Sequence, residues 1–86
     1  MKAKKIKNQL LLVKWFDTYS SDRWQFIDEA KKWGAEKLII HSVGWLIDES
    51  KNHILLAGGI QDNQEVAHLL VHIPKSNIVQ KIRIKL

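Results

Sequence analysis

Four histidines, His41, His53, His68 and His72, are the side chains of this sequence best suited to metal or proton chemistry, so their spacing is the first question. On a helix, Glu65, His68 and His72 would share one face and suggest a zinc site. Their segment reads instead as a β-strand, where four residues put His68 and His72 about 13 Å apart, too far for one ion to reach both. A site that joined His41 or His53 to one of them across strands would leave no sequence signature. Nucleophiles are as sparse: the chain has no cysteine, and Ser20, Ser21, Ser42, Ser50 and Ser76 lack any nucleophile-elbow motif. Ser42 adjoins His41, but neighbours on a strand point to opposite faces. Asp48 and Glu49 are neighbours in a turn, which gives no paired-carboxylate geometry. Gly58-Gly59 falls inside a strand rather than ahead of a helix, so it is not a phosphate loop. The sequence therefore predicts no catalytic residues, no metal and no cofactor: a protein that binds and does not catalyse.

Two groups of residues could do the binding. Tyr19, Arg23 and Trp24 place two aromatic rings and a guanidinium close together in sequence, the set needed to stack a base and neutralise a phosphate. Lys81, Arg83 and Lys85 alternate along the last strand, about 7 Å apart on one face, close to the repeat of an extended phosphate backbone. The same row on an exposed edge strand would equally serve to block sheet-to-sheet aggregation. No RNA-binding signature of the RRM or KH type is present. Four tryptophans, Trp15, Trp24, Trp33 and Trp45, are many for 86 residues. Trp33 and Trp45 are expected in the core, where a small domain uses large side chains to reach adequate burial.

The charge is segregated. Residues 1–14 and 75–86 together carry nine cations and no acid, while residues 15–74 hold five cations against all nine acids. The net charge of +5 thus comes from the two chain ends, which could lie side by side and attract nucleic acid, a nucleotide or an acidic protein. Basic ends could also act only to keep the protein soluble.

The elements that must position these residues follow from periodicity. At 86 residues there is room for one domain, with residues 1–8 as a flexible basic lead. Gln9 to Phe16 reads as a strand with Leu10, Leu12 and Phe16 on one face and Leu11, Val13 and Trp15 on the other, which predicts cover on both sides. Asp22 and Gln25 resemble a capping box, opening a helix of about three turns through Phe26, Ile27, Ala30 and Trp33 that ends at Gly34. The rest reads as β: Leu38 to Ile47 with a bend at Gly44, His53 to Ile60 with a bend at Gly58-Gly59, Val66 to Ile73, and Ile78 to Leu86. In the last of these, Ile78, Ile82, Ile84 and Leu86 are expected on one face and the cations on the other. Pro74 to Asn77 has room for one tight turn.

This order predicts an α+β, mainly β fold: a small curved antiparallel sheet or barrel of about five strands, with one short helix between strands 1 and 2. The turn after Pro74 is similar to the one-turn link before the last strand of SH3-like and Sm-like barrels, although Sm-like proteins carry their helix ahead of the barrel. The segments "SVGWLIDE", "HILLAGG" and "VHIPKSNIVQKI", with "KWFDTYSSDRW" ahead of them, resemble a pattern in small uncharacterised proteins of phages and prophages, over roughly residues 13–84. That resemblance implies a phage setting and supplies no mechanism.

The apolar run Leu10 to Val13 is too short for an export signal or a membrane span, so a cytoplasmic protein is expected. With disulfide and metal routes closed, a homo-oligomer is expected too. The leading functional expectation is a phage-type protein that binds nucleic acid or a small nucleotide through Tyr19, Arg23, Trp24, Lys81, Arg83 and Lys85. The alternatives are an inhibitor of host defence, sequestering a nucleotide signal or capping a host protein, and a structural or assembly protein.

Overall fold

The structure, a computed structural model, describes residues 9–18 and 20–86. The chain forms β1 (Leu10–Phe16), α1 (Ile27–Ala35), β2 (Ile39–Glu49), β3 (His53–Ile60), β4 (Ala67–Pro74) and β5 (Ile78–Ile84), with one 3-10 turn, Lys75–Asn77, between the last two strands. All four strand pairings are antiparallel, in the order β4-β3-β2-β1-β5. The sheet is mainly β, unclosed, and carries its one helix in the first connection, as the periodicity predicts. Among the described residues, no helix is long and apolar enough to cross a membrane.

The connection between β4 and β5 dictates the shape. These strands are the two edges of the sheet, about 19 Å apart if five strands lay flat. A three-residue 3-10 turn spans only about 6 Å. The sheet must therefore curl until its edges meet at this link. Two hydrogen bonds fix the meeting point: the Lys75 N–H donates to the Asn52 carbonyl and the Asn77 side-chain amide donates to the Phe16 carbonyl, each at 2.8 Å.

The curl turns a corner in β2. Trp45 pairs with Leu10 of β1 and also with Ala57 of β3, so β2 changes partner at this residue. The bulge that the sequence places at Gly44 lies slightly beyond it, where Ile47 is the extra residue between Leu46 and Asp48. Gly44 serves the corner differently. A Cβ there would sit 2.9 Å from the Ala57 carbonyl oxygen and 3.0 Å from the Leu56 Cβ, so the crossing strands can approach only over a bare backbone.

Inside the curl, Leu11, Val13 and Trp15 of β1 pack against Ile54 and Leu56 of β3 and Ile73 of β4. Trp15 keeps its indole N–H satisfied by donating to Ser42 Oγ at 3.0 Å. The large ring in the core is thus Trp15. Trp33 and Trp45 are only half-buried and lie outside it: Trp33 is on the helix, and Trp45 pairs with Leu10 on the face opposite Leu11 and Val13.

Three local expectations are corrected. The helix starts at Ile27, not at Asp22, and its N-cap Phe26 makes no side-chain cap; upstream, Ser21 Oγ takes the Arg23 N–H at 3.4 Å in a local turn that competes with helix. Gly34 is an ordinary helical residue rather than a left-handed cap, and the helix ends at Glu36, whose N–H bonds the Trp33 carbonyl. In β5, Val79 is an extra residue, since Lys14 pairs with Gln80 and Trp15 with Ile78. That bulge turns Ile78 inward toward Trp15, while Ile82 and Ile84 face outward beside Leu12 and Leu10.

Gly44→Ala is expected to cost about 1–3 kcal/mol, because backbone must move to admit one methyl. Ser42→Ala is expected to cost about 1–3 kcal/mol by orphaning the Trp15 N–H. Urea denaturation reads both as a lower midpoint at unchanged slope.

Candidate functional site

The bulge at Val79 also decides where the basic row points. Lys81 lies opposite Val13 and Arg83 opposite Leu11, so the cations of β5 share the core side of the sheet, at its edge, rather than the outer face. Lys81 reaches across to Glu49, near the end of β2, with its Nζ 3.3 Å from Oε2; Lys75 Nζ is 2.9 Å from the same oxygen. Two ammonium groups thus converge on one carboxylate where the sheet edges meet. The hydrogen bond from Lys75, with Lys81 adding to it, holds the Glu49 carboxyl below its ordinary value against the opposing effect of partial burial. Lys81 therefore serves the fold, while Arg83 and Lys85 remain exposed beside Leu86.

The pairing of Leu10 with Ile84 sets the start of β1 against the end of β5. The described parts of the two acid-free stretches, 10–14 and 80–84, consequently run side by side. Lys2, Lys4, Lys5 and Lys7 lie outside the described residues, and Lys14 sits on the outer face between His41 and Gln80.

The aromatic group stands elsewhere. Tyr19 lies outside the described residues. Arg23 and Trp24 belong to the connection that leaves the sheet at Phe16, about 20 Å along β1 from Leu10. Both are exposed, and no hydrogen bond, ion pair or ring contact joins either to Arg83 or Lys85. Trp24 is not in the first turn of the helix; it precedes the N-cap and is 101% exposed. Of the residues expected to bind, Arg23 and Trp24 thus stand apart from Lys81, Arg83 and Lys85.

Two features escaped the sequence. The first is a histidine pair: His53 and His72 stack on the outer face of β3 and β4, ring centroids 4.6 Å apart. Both nitrogens of His53 are engaged, Nδ1 with Ser50 Oγ at 2.8 Å and Nε2 near Asp48 Oδ2 at 3.4 Å. His41 and His68 stand apart, the latter with its ring over Gly59. No three metal-binding side chains form a cluster among the described residues. The second is an apolar outer face. Leu12 pairs with Val43 and Ile82, Leu10 with Trp45 and Ile84, and Phe16 with Ile39. The sequence predicts cover for this face, yet Val43 is 57% exposed, Ile39 47% and Ile82 38%. The helix does not provide the cover: none of its residues is buried, and the extensive contacts between elements are all strand to strand.

Because the folded-state value of Glu49 is lowered, its stabilising pairings are complete above the ordinary carboxylate value of 4.5 and are lost as pH falls through the lower folded value. Glu49→Gln is expected to remove this acid-side loss while costing less than about 1 kcal/mol at neutral pH, as measured by urea denaturation at both pH values. No family model, no curated protein and no solved structure matches this chain, so the geometry itself has to carry the functional reading.

Proposed function

We propose that this chain is a non-catalytic, phage-type binding protein that engages an anionic ligand, nucleic acid or a small nucleotide, at the sheet corner where β1 begins and β5 ends. The observation that carries this reading is the Leu10 to Ile84 pairing, which sets the exposed Arg83 and Lys85 beside the strand that follows the acid-free, lysine-rich start of the sequence. At this corner Arg83 and Lys85 are exposed, and Lys2, Lys4, Lys5 and Lys7 precede the adjoining strand in sequence. The acids lie in the middle of the chain, and Glu49 is already occupied by Lys75 and Lys81. A basic corner free of carboxylates attracts phosphates of any sequence and has no means of base readout.

In a phage setting the same chemistry would serve an inhibitor of host defence that sequesters a nucleotide signal. The two versions share the phosphate contact and differ in ligand size. A version that caps a host protein would rely instead on the aromatic residues ahead of α1.

Fluorescence anisotropy with a single-stranded oligonucleotide is expected to show affinity falling roughly three-hundredfold between 50 and 200 mM salt if about six cations contact phosphates. Arg83→Ala and Lys85→Ala are each expected to reduce the salt slope by about 0.7. A thermal-shift series with linear and cyclic nucleotides separates the smaller ligand: stabilisation by one of them with no oligonucleotide binding selects the sequestering version. Absence of both responses at low salt would remove the anionic-ligand reading.

A further inference from the structure

The outer face of β1, β2 and β5 and the start of α1 are two apolar surfaces of one chain that do not cover each other. Leu12, Val43 and Ile82 form a row across three strands, flanked by further apolar pairs. Trp24, Phe26 and Ile27 are 101%, 80% and 75% exposed. Water contact on both surfaces is costly, and apolar patches of this extent on a small protein mark interaction sites.

We infer that the start of α1 docks on the outer sheet face of a second copy, and that the reciprocal contact gives a two-fold dimer. Three observations select this occupant.

The first is that the chain supplies both halves, so one operation satisfies both and closes on itself. The second is charge. The outer face of β1, β5 and the β2 segment 39–45 carries no acid and one lysine, Lys14, whose neighbour across the strands is His41. The aromatic patch carries acids: Glu29 lines one recess with Trp24 and Phe26, and Asp28 adjoins it in the first helical turn. The apolar surfaces therefore meet with Glu29 and Asp28 opposite Lys14.

The third is area. The exposed parts of these side chains amount to roughly 1,000 Å² per copy, above the about 800 Å² per partner of a stable interface. A core of seven buried apolar residues leaves this chain short of other stabilisation, since it has no cysteine and no metal cluster among the described residues. The inference is separable from the anionic-ligand reading, because Arg83 faces the core side of β5 while its neighbours Ile82 and Ile84 face outward.

Sedimentation equilibrium of the full chain over a concentration series tests it, with circular dichroism checking each variant's fold. The wild-type chain is expected to dimerise. Trp24→Ala with Phe26→Ala, and separately Val43→Lys, are each expected to weaken association at least tenfold. Mixing these two variants restores one intact contact, an undamaged helix start on an undamaged sheet, so the mixture should associate more tightly than either variant alone. Glu29→Lys should weaken the dimer and Lys14→Glu in the same chain should recover it. A wild-type monomer at every concentration, which would mean that the helix folds back in cis or that another protein is the partner, overturns the inference. So does a dimer that neither set of substitutions affects, or a mixture no tighter than its components.

Discussion

A three-residue link between opposite edges of one sheet is the constraint on which the rest of this molecule depends. Lys75–Asn77 cannot span a flat five-stranded sheet, so the sheet curls, and the curl fixes where every other group must go. It demands a corner in β2, met by the bare backbone of Gly44 and the extra residue Ile47. It brings Glu49 from one strand end to the ammonium groups of Lys75 and Lys81. The bulge at Val79 lets β5 leave the link with Ile78 in the core and its cations along the rim.

The same geometry decides which side chains are enclosed and which are left at the surface. The concave side is filled by aliphatic side chains and Trp15, whose one polar atom is spent on Ser42. Functional groups are left to rims and outer faces, where they meet solvent. Three surfaces result among the described residues: the exposed Arg83 and Lys85 near the end of β5, an outer sheet face with exposed apolar side chains, and an exposed aromatic segment ahead of a helix with no buried residue.

Much of this fold was legible because it rests on local patterns. The strands β3 and β4 and the polar turn between them follow from alternation, whereas the stack of His53 with His72 rests on a register, Ile60 opposite Ala67, that the pattern does not encode. The segregation of cations and the spacing of Lys81, Arg83 and Lys85 could also be read directly. Their direction could not, since a single unpaired residue, Val79, reverses the faces on its two sides without disturbing the alternation after it. Nor could the pairing of Lys81 with Glu49, which spans 32 residues and exists only because the sheet curls. The helix start was misread because Asp22 and Gln25 have capping spacing, while Ser21 closes a turn that the pattern does not encode. The uncovered outer face of β1 was invisible for a general reason: apolar residues on both faces tell that cover is needed, not that the chain itself supplies it.

The arrangement of β5 beside β1, with Leu12 opposite Ile82, is what places the basic corner, the outer apolar row and the inward Lys81 together. The chain lacks cysteine, so a disulfide trap reports on this pairing without interference. The double variant Leu12→Cys with Ile82→Cys should oxidise to an intrachain disulfide, because directly opposed strand residues meet the Cα separation that the bond requires. Leu12→Cys with Arg83→Cys, one residue out of register and on opposite faces, should remain reduced. Equal or preferential closure of the shifted pair would contradict the account.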